Sequence, residues 1–250
     1  MRPSDRGAPQ LGGLAAGIGL LAGSAAPSDG TEAADCERIL ALGDSYTEGT
    51  SVSNDEHWVT KLVETRRANG HPVTDPVVVA ENGWTTGDLD EAIDDALAGR
   101  RAGGEDDAET DLDLTDEFDL VTLLIGANDC FQEQAPGTFH PTFVAVLDRA
   151  ISFAPSPANV VVITVPDYTL TPVGQQNEPE EHASRLNAYN RIIEEEAAAA
   201  GTRFVDVVPP SKQVVGRPEL IAEDDLHPSP EQYDRWLERL SPVAIEALKS

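Results

Sequence analysis

Lysine is nearly missing from this chain of 250 residues: Lys61, Lys212 and Lys249 are the only three, and with the arginines they make 17 basic residues against 45 acidic ones. The formal charge of −28 disfavours nucleic acid and anionic lipid headgroups as partners, because like charges repel. Aromatic residues are also scarce, at 5%. Scarce lysine, abundant aspartate and few aromatics read together as the composition of a protein from a salt-loving organism. Concentrated salt shrinks the screening length to about 3 Å at 1 M and relieves repulsion among crowded carboxylates. A protein that is simply acidic is the plainer alternative, whereas disorder is argued against by the 40% hydrophobic content and clear strand patterns.

Long apolar runs are missing as well. The longest, Leu11 to Ala26, has sixteen residues, short of the roughly 20 that a membrane-spanning helix needs. It follows Arg2 and Arg6 and ends in small residues, so it reads as a cleaved secretory signal with cleavage near Ala25 or Ala26. A flexible extension is the other reading. Residues 1–35 are thus set apart from a folded part, 36–250, expected to be secreted or extracellular if the signal is used and cytoplasmic otherwise.

Cysteine is limited to Cys36 and Cys130. A bridge between them would suit export, but Cys36 precedes the first expected strand and Cys130 follows the carboxyl end of a parallel one. Five residues of strand separate those ends by about 16 Å, beyond the roughly 7 Å allowed between bridged Cα atoms. No composition break and no internal repeat divides the chain, so one domain is expected.

Within that domain five short, β-branched, nearly continuous apolar runs, at 38–43, 77–83, 118–126, 159–166 and 202–208, read as strands covered on both faces. Helical patterns lie between them, one over 141–154 starting at Pro141, others closing on Gly70, Gly99 and Gly201, and a last helix starts at Ser229-Pro230-Glu231, with Pro242 expected to break or kink it. Such alternation implies an α/β fold, a three-layer αβα sandwich around a five-stranded parallel sheet with ligands at the carboxyl ends of the strands; of the common doubly wound orders the flavodoxin-like 2-1-3-4-5 is the one expected here. The acidic segment 100–117 and most of 167–181 read as solvated loops. Trp58 and Trp236 fall within helices and read as core.

The first strand runs into Gly43-Asp44-Ser45-Tyr46. Serine is a common turn and N-cap residue, so this block decides nothing by itself. Near the other end stands Asp224-Asp225-Leu226-His227. His227 can act as general base for a serine hydroxyl, and Asp224, three residues earlier, can turn back onto its Nδ1, Asp225 being the less suited partner. Gly83 and Asn128 end the second and third strands. A glycine N–H and an asparagine amide there, with the Ser45 N–H, would supply donors to an oxyanion, although a turn glycine and an Asx turn are the ordinary readings. Tyr46, Trp84 and Tyr168 follow strand ends and are candidates for pocket lining, with core packing as the alternative for Trp84 and Tyr168. Asp44 and Asp129 read as acceptors that fix their loops.

These four blocks, in this order, resemble those of the SGNH hydrolases, the GDSL-type esterases and lipases, over residues 38–248. The resemblance implies Ser45 as nucleophile, Asp224 and His227 as its partners, and Ser45, Gly83 and Asn128 around the oxyanion. It implies an acyl-enzyme route without metal or other cofactor, acting on a small-molecule, glycan or lipid ester. The chain departs from the usual fourth letter of the first block, with Tyr46 in place of leucine. A carbohydrate acetyl esterase is the alternative within the same fold. A catalytically silent glycan- or partner-binding module, and a metal hydrolase built on Asp44, Asp129, Asp224 and His227, are alternatives outside this chemistry.

If the acidic surface is salt-adapted, thermal melting monitored by circular dichroism should rise by about 6–12 °C between dilute buffer and multimolar potassium chloride, the equivalent of roughly 3 kcal/mol.

Overall fold

A computed structural model describes residues 36–99, 114 and 117–250. The expected leader 1–35 and the acidic segment 100–117, apart from Leu114 and Glu117, lie outside the described residues, which all fall in one unit, Asp35–Ser250. Strand and helix alternate in the order β1 (Ile39–Asp44), α1 (Ser45–Glu48), α2 (Trp58–Ala68), β2 (Val77–Glu81), α3 (Thr86–Leu97), β3 (Leu120–Leu124), α4 (Ala127–Phe131), α5 (Pro136–Ser152), β4 (Val160–Ile163), α6 (Pro179–Ala200), β5 (Arg203–Val205), α7 (Val208–Ser211) and α8 (Pro230–Ala247). All five strands are parallel and ordered β2-β1-β3-β4-β5, the doubly wound arrangement read from the sequence. No described helix is long and apolar enough to cross a membrane.

The strands are buried because both sheet faces carry helices. α3, α5 and α6 pack side by side, while α2 packs on α8, which crosses β4 and β5. β1, β3 and β4 are buried along their whole length. Trp58 of α2 and Trp236 of α8 are both 1% exposed, as their helical positions predict. Apart from β1, each strand is shorter than its apolar run. Ile125 and Gly126, and likewise Thr164 to Pro166, stay buried after pairing has stopped, since the core continues under the loops.

Register sets the site. Gly43 lies opposite Leu124 and Asp44 opposite Glu81, so β1, β2 and β3 end level and their following loops leave from one edge. The loop after β3 turns at Gly126, whose φ is 122°; an added Cβ there would lie 2.9 Å from the Phe139 ring. Phe139 is itself held by Tyr189 of α6, the rings stacked at 3.8 Å between centroids.

Three expectations need correction. Residues 167–181 are not a solvated loop: they form two short 3-10 turns, Tyr168–Leu170 and Gly174–Gln176, with Tyr168, Thr169, Thr171 and Gly174 buried. Side chains replace water there, Asp167 accepting from Thr169 N–H and Oγ1 and Gln175 donating to the Thr169 carbonyl. α8 begins at Ser229 and Pro230 as expected but runs through Pro242 without ending, its apolar face held on the sheet. α5 begins at Pro136, five residues before the apolar pattern suggests, and passes through Pro141. No disulfide joins Cys36 to Cys130.

Gly126→Ala should cost about 2–5 kcal/mol, combining left-handed backbone strain with overpacking against Phe139, and urea unfolding would measure it.

Candidate active site

β1 delivers the serine. The strand ends on Asp44, whose carboxylate caps α1 by accepting from the Tyr46 N–H at 3.0 Å. That cap starts the helical turn at Ser45, which is 3% exposed and has its Oγ 2.8 Å from His227 Nε2. The two residues are 182 positions apart in the chain.

His227 is presented by a loop folded on itself before α8. The Ala222 N–H donates to the His227 carbonyl at 2.8 Å, the Ser229 N–H donates to the Leu220 carbonyl at 3.1 Å, and Asp225 takes a φ of 62° at the corner. The corner brings Asp224 back to the imidazole. Asp224 Oδ2 lies 2.5 Å from His227 Nδ1, and Oδ1 accepts from the N–H groups of Leu226 and His227 at 3.0 and 2.9 Å. Asp225 is exposed at the corner and makes no such contact. Burial pushes the Asp224 carboxyl up, but hydrogen bonds from the Ser51 hydroxyl, the His227 ring and the two N–H groups outweigh it and hold it well below the usual carboxylate range. An ionised acceptor on Nδ1 keeps the proton of a neutral imidazole there and leaves Nε2 free to accept from Ser45.

The other two strand ends reach the same edge. Asn128 is half-buried in α4, its Nδ2 donating to the Trp84 carbonyl at 2.8 Å. An amide NH2 has two donors, so this bond fixes its orientation and leaves one. Gly83 is exposed with a φ of 94°, and an added Cβ would meet nothing within 4 Å. Left-handed backbone, not close packing, is therefore what favours glycine at that position. A cleft of about 50 Å³ is lined by Ser45, Tyr46, Asn82, Asn128, Phe131 and His227 together with Ala127, Tyr168 and Leu226.

Of the three aromatic candidates, Tyr46 and Tyr168 line this cleft. The Tyr46 ring sits 5.3 Å from the His227 ring, and the Tyr168 hydroxyl is bonded to His182 Nδ1 at 2.8 Å. Trp84 is not among the cleft's lining residues: its half-buried side chain packs on the core, and what it supplies is the carbonyl that anchors Asn128. Asp44 and Asp129 fix loops as expected, Asp129 accepting from the N–H and Oγ1 of Thr86 at the start of α3. Among the described residues, no three or more His, Cys, Asp or Glu side chains are grouped to hold a metal ion.

Sequence reasoning missed Asn82, Phe131 and Ser51. Phe131 is 40% exposed at the cleft and lies 5.8 Å from the Tyr168 ring. Its spacing of three from Asn128 in a helix was the available signal, since such residues share a face. Ser51 donates to Asp224 Oδ2 at 2.6 Å from a loop with no pattern to read.

A five-stranded parallel sheet in this order, flanked by helices, is the fold of the SGNH hydrolases. The chain belongs to the GDSL-like Lipase/Acylhydrolase family, which it matches over residues 41–235. Among solved structures it is similar to a lipase/acylhydrolase from Enterococcus faecalis, with a TM-score of 0.62 and 21% identity over 85% of this chain and 95% of that one. It is also similar to a lipolytic protein of the G-D-S-L family from Veillonella parvula, with a TM-score of 0.60 and 17% identity over 86% and 97% of the two chains. A third is an acetylxylan esterase from Geobacillus stearothermophilus, with a TM-score of 0.59 and 17% identity over 86% and 94%. At these identities the likeness is one of fold. No curated protein sequence matches the chain.

Asp44 provides a pH test. Burial pushes its carboxyl up to about 7, with Asp129 adding to the rise and the N–H groups of Tyr46 and Ala127 opposing it. Between its unfolded value of 3.8 and about 7, the folded protein keeps a proton that the unfolded chain has lost. The stability from this group is thus fully present below the unfolded value and is lost as pH rises through the folded one. The stability of wild type minus that of Asp44→Asn, from urea titrations, should fall by roughly 2–4 kcal/mol between about pH 4 and pH 8.

Proposed function

We propose that the protein is a serine ester hydrolase in which Ser45 is the nucleophile, His227 its general base and Asp224 the group that orients the base. The observation that carries this reading is the continuous hydrogen-bonded chain from Asp224 through His227 to Ser45, at 2.5 and 2.8 Å, opening on a cleft. His227 Nε2 takes the Ser45 proton as Oγ attacks the ester carbonyl. The Ser45 and Gly83 N–H groups and the Asn128 amide receive the charge that develops on the carbonyl oxygen. The imidazolium, stabilised by ionised Asp224, gives its proton to the departing alcohol and leaves an acyl-enzyme. Water activated by the same imidazole then releases the acid.

Residues 36–250 form the hydrolase on this reading, and 1–35 serve export. Within the class, a specific observation favours a carbohydrate acetyl esterase over a lipase: the cleft is compact, and the exposed Phe131 ring at its edge offers a flat apolar face for a sugar ring. One of the structural relatives is an acetylxylan esterase.

Hydrolysis of p-nitrophenyl acetate, butyrate and octanoate in multimolar salt tests both levels. Ser45→Ala should lower kcat by about 10⁴-fold or more. Asn128→Ala should lower it by about 100- to 1,000-fold, roughly 3–4 kcal/mol, with little change in KM. Acetate should be the fastest ester. Unchanged rates in a folded Ser45→Ala protein would sink the mechanism, and octanoate as the fastest ester would reverse the choice of substrate.

A further inference from the structure

The loop that leaves the candidate nucleophile turns back toward it. Gly49 and Thr50 both give their N–H to the Ser45 carbonyl, at 3.0 and 3.1 Å, so the chain beyond α1 stays pinned to the serine's own backbone. Ser51 follows, exposed, with a φ of 68°. That region suits glycine and is strained for serine, and a strained residue beside a candidate site invites the question of what its side chain does. Its Oγ lies 2.6 Å from Asp224 Oδ2, the same oxygen that lies 2.5 Å from His227 Nδ1.

The other hydrogen-bond donors to this carboxylate, the N–H groups of Leu226 and His227 and the His227 ring, belong to Asp224's own loop. Ser51 reaches it from 173 positions away, on the nucleophile's side. We infer that Ser51 is a positioning residue of the site: its hydroxyl clamps the Asp224 carboxylate with Oδ2 against the imidazole, joining the loop that carries the nucleophile to the loop that carries the base. The inference rests on the catalytic reading of Ser45, His227 and Asp224 proposed above.

The clamp has two physical effects. A carboxylate turns easily about its last torsion, and donors on both oxygens stop it from turning. The Ser51 hydrogen bond also draws charge from Oδ2, so the acceptor facing His227 is less basic than it would otherwise be. Among the hydrogen bonds that oppose the effect of burial on Asp224, that of Ser51 is the largest. Other groups near the pair are Tyr46 and Tyr233, held neutral above the usual phenol range by burial, Asp44, pushed up to about 7, and Glu48, which accepts from Thr50 Oγ1 at 2.9 Å. All four remain when Ser51 is replaced, so a difference between two pH profiles reports on Ser51.

Ser51→Gly removes the hydroxyl while giving the backbone the residue its conformation favours, so the melting temperature should be unchanged or higher. With p-nitrophenyl acetate, kcat should fall by about 5- to 50-fold while KM stays within about twofold. The acid limb of kcat/KM should move up by several tenths of a pH unit, because the unclamped carboxylate stabilises the imidazolium more strongly. A purely structural loop residue would move neither. Wild-type kcat and an unmoved acid limb in Ser51→Gly, beside an inactive Ser45→Ala, would overturn the positioning role alone. Activity retained by a folded Ser45→Ala would remove the catalytic reading and the positioning role with it.

Discussion

The parallel pairing of β1 with both β2 and β3 is the constraint on which the rest of the site depends. Because Asp44 stands opposite Glu81 and Gly43 opposite Leu124, the three strands end level. Three chain segments are therefore released at one edge of the sheet. The first turn after β1 carries Ser45, the bend after β2 carries Asn82 and Gly83, and the turn after β3 carries Asn128. A slip of one residue in either pairing would invert the faces of a buried strand, so the packing that holds the register also holds the site.

Onto that edge the chain brings His227, from the loop before α8. This loop carries its own geometry: the backbone bonds between Ala222 and His227 and between Leu220 and Ser229, and the left-handed Asp225, make a corner that returns Asp224 to the imidazole. Two carboxylates of the candidate site's loops are treated oppositely. Asp224 is partly exposed and receives four donors, which hold it ionised, whereas Asp44 is fully buried with one oxygen lacking a partner and is pushed toward neutrality. Residue type is the same, and solvation and donor count decide the charge.

Much of this was legible in the sequence. Continuous apolar runs identified five covered strands, alternation with helices implied a parallel doubly wound sheet for which the order 2-1-3-4-5 was the one expected, and four short blocks, three at strand ends and one before the last helix, marked Ser45, Gly83, Asn128 and the Asp224–His227 pair. The errors have physical causes. Pro141 looked like a helix start and Pro242 like a break or kink, but packing of the surrounding apolar faces carries α5 and α8 through them without ending. The polar stretch after β4 looked solvated, but side chains such as Asp167 and Gln175 satisfy its backbone and let it be buried. Trp84 was open to pocket lining or core packing, because aromatic identity is visible in a sequence and the use of a main-chain carbonyl is not.

The sequence by itself determined the class of fold and the order of its elements, because periodicity and turn chemistry are local properties of consecutive residues. It also placed the chemically able side chains at the ends of strands and in the loop before the last helix. Only the tertiary structure decided which of them meet, since contacts such as those of His227 with Ser45 and of Ser51 with Asp224 span most of the chain. It likewise decided the ionisation of Asp44 and Asp224, because burial and hydrogen-bond donors from distant segments exist only once the chain has folded.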